Sequence, residues 1–160
     1  MALLEIKVNG REHRLEVDAT ANLLTVLREQ LFITGPKVGC ETGDCGACNV
    51  IIDGKLRRAC LTNAMSISGS EITTVEGVGE KGALHPLQTS FYENYASQCG
   101  YCTPGMIMAS KALLDQNPDP SEWEIKEALS GNLCRCTGYV NIIKAVKATA
   151  GSTSGQGGEK

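Results

Sequence analysis

The chain has 160 residues, of which 42% are hydrophobic and only 4% aromatic, and its formal net charge is −3. This length allows one ordinary domain or two small ones, and the slightly acidic balance excludes a nucleic-acid-binding surface of the usual basic kind. No run of about twenty apolar residues is present, so we expect no membrane-spanning helix. The first residues lack the basic start and cleavage site of a secretory signal, and we expect a cytoplasmic location, where thiols stay reduced.

The first half of the chain predicts strands around one helix. An Asn9-Gly10 turn between two alternating apolar segments is typical of a β-hairpin. Asp18 to Thr20 can cap a helix that carries leucines at helical spacing. This order predicts an α+β fold that begins with a β-grasp, ferredoxin-like domain over residues 1–79. The expected strands lie over residues 4–8, 11–17, 49–53, 56–60 and 71–76.

The second half of the chain predicts helices. Pro104 stands where the first turn of a helix tolerates proline, and Ser121 with Glu124 forms a capping box at the start of another helix. We therefore expect a four-helix bundle domain over residues 80–150. The polar, glycine-rich residues 151–160 that follow are expected to be a disordered tail. The expected helices lie over residues 86–95, 104–114, 121–129 and 139–150.

The first four of the eight cysteines follow the pattern C-x4-C-x2-C with a more distant fourth cysteine. This is the spacing of a plant-type ferredoxin loop, in which four thiolates hold a 2Fe-2S cluster. Glycines at positions 39, 43 and 46 allow the loop to turn its amides toward an anionic centre. Structural zinc fits this spacing poorly, and the absent secretory signal disfavours disulfides. This first quartet consists of Cys40, Cys45, Cys48 and Cys60.

The other four cysteines read C-x2-C, a long gap and C-x-C, with each pair just before a predicted helix. The partial positive charge of a helix N-terminus favours thiolates and a bound anionic centre. Two such termini could close a second four-sulfur site for an iron–sulfur cluster, and spacing alone leaves structural zinc open here. No nucleophile–base pair accompanies either group, so we expect no catalytic residue in this chain. The second quartet consists of Cys99, Cys102, Cys134 and Cys136.

Three segments together resemble the small iron–sulfur subunit of the xanthine oxidase family of molybdenum hydroxylases. They are GCETGDCGAC at 39–48, QCGYCTPG at 98–105 and GNLCRCTGY at 131–139. The resemblance covers about residues 3 to 150 and includes the carbon monoxide dehydrogenase, xanthine dehydrogenase and aromatic-CoA reductase branches. It departs at Asn49, where threonine is more usual, and we expect this change to alter only a hydrogen bond at the start of a strand.

The resemblance implies one 2Fe-2S cluster in each domain and makes zinc improbable at the second site. It implies a large partner subunit with molybdopterin, often a medium subunit with FAD, and a dimer of such heterotrimers. The cluster of the second quartet would be the buried one nearest molybdenum, and the cluster of the first would lie toward the flavin. By the same resemblance, Gln98 would hydrogen-bond the pterin and Cys136 would touch it.

The function implied is a relay of single electrons between molybdenum and FAD or an external acceptor. Among relatives the molybdenum reaction is hydroxylation with oxygen from water, oxidation of carbon monoxide, or reductive removal of a phenolic hydroxyl. The substrate pocket would belong to another polypeptide. The alternative is a free-standing two-cluster ferredoxin-type carrier, against which the low net charge argues because shuttle ferredoxins steer by a strongly acidic face.

Overall fold

A computed structural model describes residues 1–80 and 82–153. Within these residues the fold is mixed, with one five-stranded sheet followed along the chain by most of the helical structure. The strands are β1 (Ala2–Val8), β2 (Arg11–Val17), β3 (Asn49–Ile52), β4 (Lys55–Arg58) and β5 (Glu71–Thr73). The helices are α1 (Leu23–Thr25), α2 (Pro86–Glu93), α3 (Thr103–Gln116), α4 (Glu122–Leu129) and α5 (Val140–Thr153).

The sheet has the strand order β2-β1-β5-β3-β4, with β1 parallel to β5 and the other neighbours antiparallel. Its two hairpins turn at Asn9-Gly10 and Asp53-Gly54, where all four residues have positive φ. Two such residues in succession match the right-handed twist of the flanking strands. The predicted inward face of β1 is confirmed, since its alternate side chains are at most 1% exposed: Leu4, Ile6 and Val8.

The helix of the first half begins later than predicted. The cap is Asn22, whose Oδ1 accepts a 2.9 Å hydrogen bond from the amide of Thr25, so the expected cap at Asp18 to Thr20 is wrong. Asp18 instead closes a local turn by accepting the amide and hydroxyl of Thr20 at 2.7 and 2.6 Å. After one turn α1 widens into a π-helical segment, Val26–Gln30. Leu23 and Leu24 of α1, with Val26 and Leu27 of this segment, belong to the buried core that includes the inward face of β1.

The four helices α2 to α5 share a second hydrophobic core. Helix α2 packs on α5, and α3 packs on α4. The predicted capping box of α4 is confirmed, with Ser121 accepting from the amide of Glu124 and Glu124 accepting from the amide of Ser121. The largest fully buried side chains of this core are Leu87, Met106, Met108, Ile125 and Ile142.

The two cores meet along β3. Ile51 on this strand and Val78 after the sheet both belong to the helical core, and α3 packs directly on β3. Helix α5 continues to Thr153, three residues into the expected tail, and residues 154–160 lie outside the described part of the chain. Among the described helices, none combines the length and apolar character that crossing a membrane requires.

Candidate iron–sulfur sites

The first quartet lies in and beside a tightly curled loop that precedes β3. Three of its cysteines stand on the loop, and Cys60 follows β4 in a single 3-10 turn, so the β3–β4 hairpin returns it to the loop. Gly43 and Gly46 have φ values of 86° and 72°. This left-handed region favours glycine. The predicted glycine-dependent curl is therefore confirmed at these two positions.

The sulfur of Cys40 is surrounded by donors from its own loop. The amides of Thr42, Asp44 and Cys45 lie 3.4, 3.3 and 3.4 Å from this sulfur. The amide of Cys40 in turn donates to the sulfur of Cys45 at 3.4 Å. The Thr42 side chain and the backbone amides lower the pKa of the Cys40 thiol to about 6 because they stabilise the thiolate. The loop therefore favours an anionic sulfur at Cys40 through the Thr42 side chain and its own backbone amides.

Cys48 and Cys60 form a more deeply buried pair, with 2% and 8% of their surface exposed. Burial, and then the neighbouring Cys48 thiol, raise the pKa of Cys60 to about 11. The cause is that a second negative sulfur in apolar surroundings is poorly solvated. A metal cation supplies the charge that lets such a thiol lose its proton.

The second quartet lies around the N-terminus of α3 and the segment before α5. Cys102 is the N-cap residue of α3, and burial, followed by its hydrogen bond with Cys134, raises its pKa to about 12. Burial also acts upward on the pKa of Cys134. The hydroxyl and amide of Thr137, 3.1 and 3.4 Å from that sulfur, oppose this and leave the pKa lowered. The half-buried pair of this quartet therefore contains one thiol with a raised pKa and one with a lowered pKa.

Cys99 and Cys136 lie together at the surface, and Gln98 beside them is exposed as well. The pKa of Cys136 is raised chiefly by its hydrogen bond with Cys99. The second quartet thus has one half-buried pair and one exposed pair.

All eight cysteines are free thiols, and they meet in four pairs. The described residues contain no group of three or more His, Cys, Asp or Glu side chains arranged around one metal ion. A 2Fe-2S cluster has two irons with two thiolates each, so two adjacent pairs supply its ligands. The donor set therefore fits two such clusters. The pairs are Cys40 with Cys45, Cys48 with Cys60, Cys99 with Cys136, and Cys102 with Cys134.

The segments that carry the two quartets contact each other directly. The amide of Leu133, next to Cys134, donates a 2.9 Å hydrogen bond to the carbonyl oxygen of Cys45. The hydroxyl of Tyr101, next to Cys102, donates to the carbonyl oxygen of Val38. One backbone hydrogen bond therefore joins Cys45 of the first quartet to Leu133, the residue immediately before Cys134 of the second quartet.

Two glycines, Gly46 and Gly105, allow this close approach of backbones. A Cβ atom at Gly105, in the first turn of α3, would overlap the carbonyl oxygen of Gly46. A Cβ atom at Gly46 would lie 2.6 Å from the carbonyl oxygen of Gly131. Only residues without a side chain fit such contacts. Gly105 in a predicted helix was the sequence signal for this packing, since helix interiors otherwise disfavour glycine.

Three polar side chains at this junction were not among the predicted site residues. Asn49 is 1% exposed and donates to the carbonyl oxygen of Gly105 at 3.2 Å and to Oδ1 of Asn132 at 2.7 Å. The expectation that Asn49 alters only a strand-start hydrogen bond is therefore wrong. Arg58 donates to Oδ1 of Asn49 and to backbone oxygens of both halves. In the sequence, the signal for these contacts was the polar residue Asn49 at the start of an otherwise apolar strand.

Two family models match adjacent parts of the chain: a 2Fe-2S iron-sulfur cluster binding domain over residues 6–74 and a 2Fe-2S binding domain over residues 74–147. The nicotinate dehydrogenase small FeS subunit of Eubacterium barkeri is 48% identical over 144 residues, which are 90% of this chain and 92% of that protein. The solved structure of quinoline 2-oxidoreductase from Pseudomonas putida 86 matches with a TM-score of 0.93 and 42% identity, covering 99% of this chain and 98% of the other.

A longer relative shows the same segment within a larger protein. Aldehyde oxidoreductase of Megalodesulfovibrio gigas is 49% identical over 154 residues, which are 94% of this chain but 17% of that protein. This chain therefore matches only a small part of that relative but nearly the full length of the small FeS subunit from Eubacterium barkeri.

The sheet, the helices and the paired thiols define an electron-transfer protein with two 2Fe-2S binding domains. The chain belongs to the small iron–sulfur subunits of the xanthine oxidase family of molybdenum hydroxylases. The family inferred from the three cysteine-bearing segments is confirmed.

Proposed function

We propose that this chain is the electron-relay subunit of a cytoplasmic, molybdopterin-dependent oxidoreductase and that each quartet of cysteines holds one 2Fe-2S cluster. Such clusters, when bound, accept and release single electrons. The observation that carries the proposal is the hydrogen bond between the Leu133 amide and the Cys45 carbonyl oxygen, which joins the two segments that carry the quartets. The first cluster is assigned to Cys40, Cys45, Cys48 and Cys60, and the second to Cys99, Cys102, Cys134 and Cys136.

The first cluster domain is assigned to residues 1–79 and the second, a four-helix bundle, to residues 80–150. The two family models meet at residue 74, close to this boundary. The core shared by α2 to α5 supports the bundle assignment. Each domain is small, and metal binding would add to the stability that its own core provides.

The second cluster is assigned to the side that faces the molybdopterin-binding partner, and the first to the side of FAD. Support comes from the exposed pair Cys99 and Cys136 and from large exposed side chains close to it in sequence, since Tyr95 is 80% exposed and Leu133 60%. Apolar surface of this kind is typical of an interface. In this arrangement Gln98 hydrogen-bonds the pterin and Cys136 touches it.

The partners proposed are two further subunits, a large one that binds molybdopterin and a medium one that binds FAD, in a dimer of heterotrimers. The names of two relatives of nearly equal length support a multi-subunit enzyme. They are the small FeS subunit of a nicotinate dehydrogenase and the small subunit of a nicotine 6-hydroxylase. The second of these is 46% identical over 155 residues.

The ligand assignment is tested by paramagnetic resonance of the dithionite-reduced protein, purified without air. We expect two distinguishable signals in the wild-type complex. Cys45→Ser should remove one signal and Cys102→Ser the other. Loss of the same signal in both variants would show that the grouping of ligands is wrong. A stable monomer that retains both signals and binds no partner would favour the free carrier.

The contact assigned to Gln98 is tested by Gln98→Ala. We expect both paramagnetic signals to remain while pterin occupancy of the purified complex falls, because the side chain lies outside both quartets. Gln116→Ala is the matched control, since Gln116 is an exposed glutamine at the other end of α3. Equal pterin occupancy in the two variants would contradict the assigned contact.

A further inference from the structure

Arg58 lies between the two cysteine-bearing segments and donates hydrogen bonds to both. Its Nε donates to the carbonyl oxygen of Gly43 at 3.1 Å, within the loop of the first quartet. Its Nη2 donates to the carbonyl oxygen of Gly131 at 2.9 Å, three residues before Cys134. Its Nη1 donates to Oδ1 of Asn49. One guanidinium therefore spans the first loop, the start of β3 and the approach to the second quartet.

The charge of Arg58 meets only neutral acceptors in these contacts. Its three partners are two backbone carbonyls and a side-chain amide. The ion pairs of the described residues involve other cations. A half-buried guanidinium keeps its positive charge at all ordinary pH values. A 2Fe-2S cluster with four thiolates carries about two negative charges when oxidised and about three when reduced. Arg58 thus supplies positive charge beside a site where negative charge increases on reduction.

We propose that Arg58 is a positioning residue of the relay and that its charge raises the reduction potential of the first cluster. This inference rests on the proposed function. The rigid fork of the guanidinium can hold both segments at once, which a single ammonium cannot do in the same geometry. The positive charge favours the more negative, reduced state.

Arg57 provides a matched control on the same strand. It neighbours Arg58 in β4 and is exposed. Successive residues of a strand point to opposite faces, so Arg57 projects away from the junction. Replacing either arginine by glutamine removes one positive charge and keeps a polar side chain of similar length. The two variants therefore separate a local effect from a change in net charge.

The test is a redox titration of the full chain with its co-purifying subunits, followed by paramagnetic resonance. At a fixed potential we expect Arg58→Gln to lower the reduced-to-oxidised ratio of the first cluster about tenfold, which is about 59 mV for a one-electron couple. Arg57→Gln should change this ratio much less. Equal shifts in the two variants, or none in either, would overturn the role of the charge.

Two further variants test positioning separately from charge. Arg58→Lys keeps the charge and loses the fork. Gly131→Ala keeps Arg58 itself but places a Cβ atom where its Nη2 lies, and Gly131 is not in the left-handed region. We expect both variants to change the spin–spin interaction between the reduced clusters while shifting the potential less than Arg58→Gln does. Wild-type spin–spin interaction in both would overturn the positioning role.

These variants also keep the inference testable if Arg58→Gln fails to retain iron. In that case Arg58→Lys should retain both signals at nearly the wild-type potential, and a large fall in that potential would overturn the role of the charge. Failure of the proposed function is a different outcome, because wild-type protein would then show no iron–sulfur signals. Signals that are present but respond equally to changes at Arg57 and Arg58 contradict this inference alone.

Discussion

The side-chain amide of Asn49 donates a 2.7 Å hydrogen bond to Oδ1 of Asn132, across 83 residues of sequence. The two side chains are 1% and 3% exposed. A buried polar group with a hydrogen-bond partner adds modestly to the free energy of unfolding. Loss of the partner leaves the group buried and unsatisfied, and the free energy of unfolding then falls by the full desolvation penalty of that group. This hydrogen bond therefore holds the start of β3 against the segment that leads to Cys134.

Replacing Asn49 by alanine should destabilise the chain because Oδ1 of Asn132 and the carbonyl oxygen of Gly105 would lose a donor. We expect the free energy of unfolding to fall by about 1–3 kcal/mol. The measurement is a double-mutant cycle by denaturant unfolding with Asn49→Ala, Asn132→Ala and the double variant. A coupling energy of about 0.5–3 kcal/mol is expected for residues in one hydrogen-bond network. Strict additivity would contradict the link.

Replacing Gly105 by alanine should also destabilise the chain, although glycine to alanine in a helix normally stabilises it by about 1 kcal/mol. The new Cβ atom would overlap the backbone carbonyl oxygen of Gly46, which no side-chain rotation can relieve. Overpacking of this kind costs about 1–3 kcal/mol. Chemical unfolding of the two proteins under the same conditions decides the sign, and a gain in stability would show that α3 is not held against the loop.

Replacing Ser110 by alanine should leave stability unchanged or raise it by up to about 1 kcal/mol. Its hydroxyl is fully buried in α3 and has no hydrogen-bond partner among the described residues. Ser90→Ala is the matched control, because the buried Ser90 hydroxyl donates to the carbonyl oxygen of Ala145 at 2.7 Å. We expect that control to lose about 1 kcal/mol. Thermal unfolding of both variants checks this, and a larger loss at Ser110 would contradict the unpartnered hydroxyl.

The cap of α2 should make stability depend on pH. Nδ1 of His85 accepts the amide of Leu87 at 3.1 Å, which only the neutral imidazole can do. Burial and then the charge of Lys111 lower the pKa of His85 below its usual 6.5, against a smaller upward effect of Asp115. The unfolded chain therefore binds this proton more readily. The cap therefore contributes fully to the free energy of unfolding above about pH 6.5. This contribution is lost as the pH falls through the pKa of His85 in the folded chain.

His85→Asn tests this dependence, since asparagine is a good N-cap residue that does not titrate. Unfolding followed between about pH 8 and pH 5 should show a flatter pH dependence in the variant than in the wild type. The two proteins should have similar stability at the upper end of this range. An unchanged slope below about pH 6.5 would show that His85 does not carry the effect.

Most of the helices and strands could be predicted from the sequence because residues close to each other in the chain determine where they begin and end. The Asn9-Gly10 turn and the Ser121 capping box are set by a few neighbouring residues, and both were found where expected. The start of α1 was misplaced because Asp18 and Asn22 are both capable caps and tertiary packing selects between them. Helix and capping propensities alone do not predict which of the two residues is the cap.

The cysteine spacing predicted the candidate sites but not the junction between them. Ligand spacing is a local property of each loop, whereas the contacts of Asn49 and Arg58 join residues 83 and 73 positions away. Such long-range partners depend on how α3 docks on β3. The sequence signals for this docking were Gly105 in the first turn of a predicted helix and Asn49 at the start of a predicted strand, which contact each other in the structure.

The most direct test of the two-cluster relay is the metal content of the chain prepared without air. We expect iron and acid-labile sulfide in equal amounts, with two irons for each quartet of cysteines, and a visible absorption that dithionite bleaches. A colourless protein that contains zinc and no iron would contradict it.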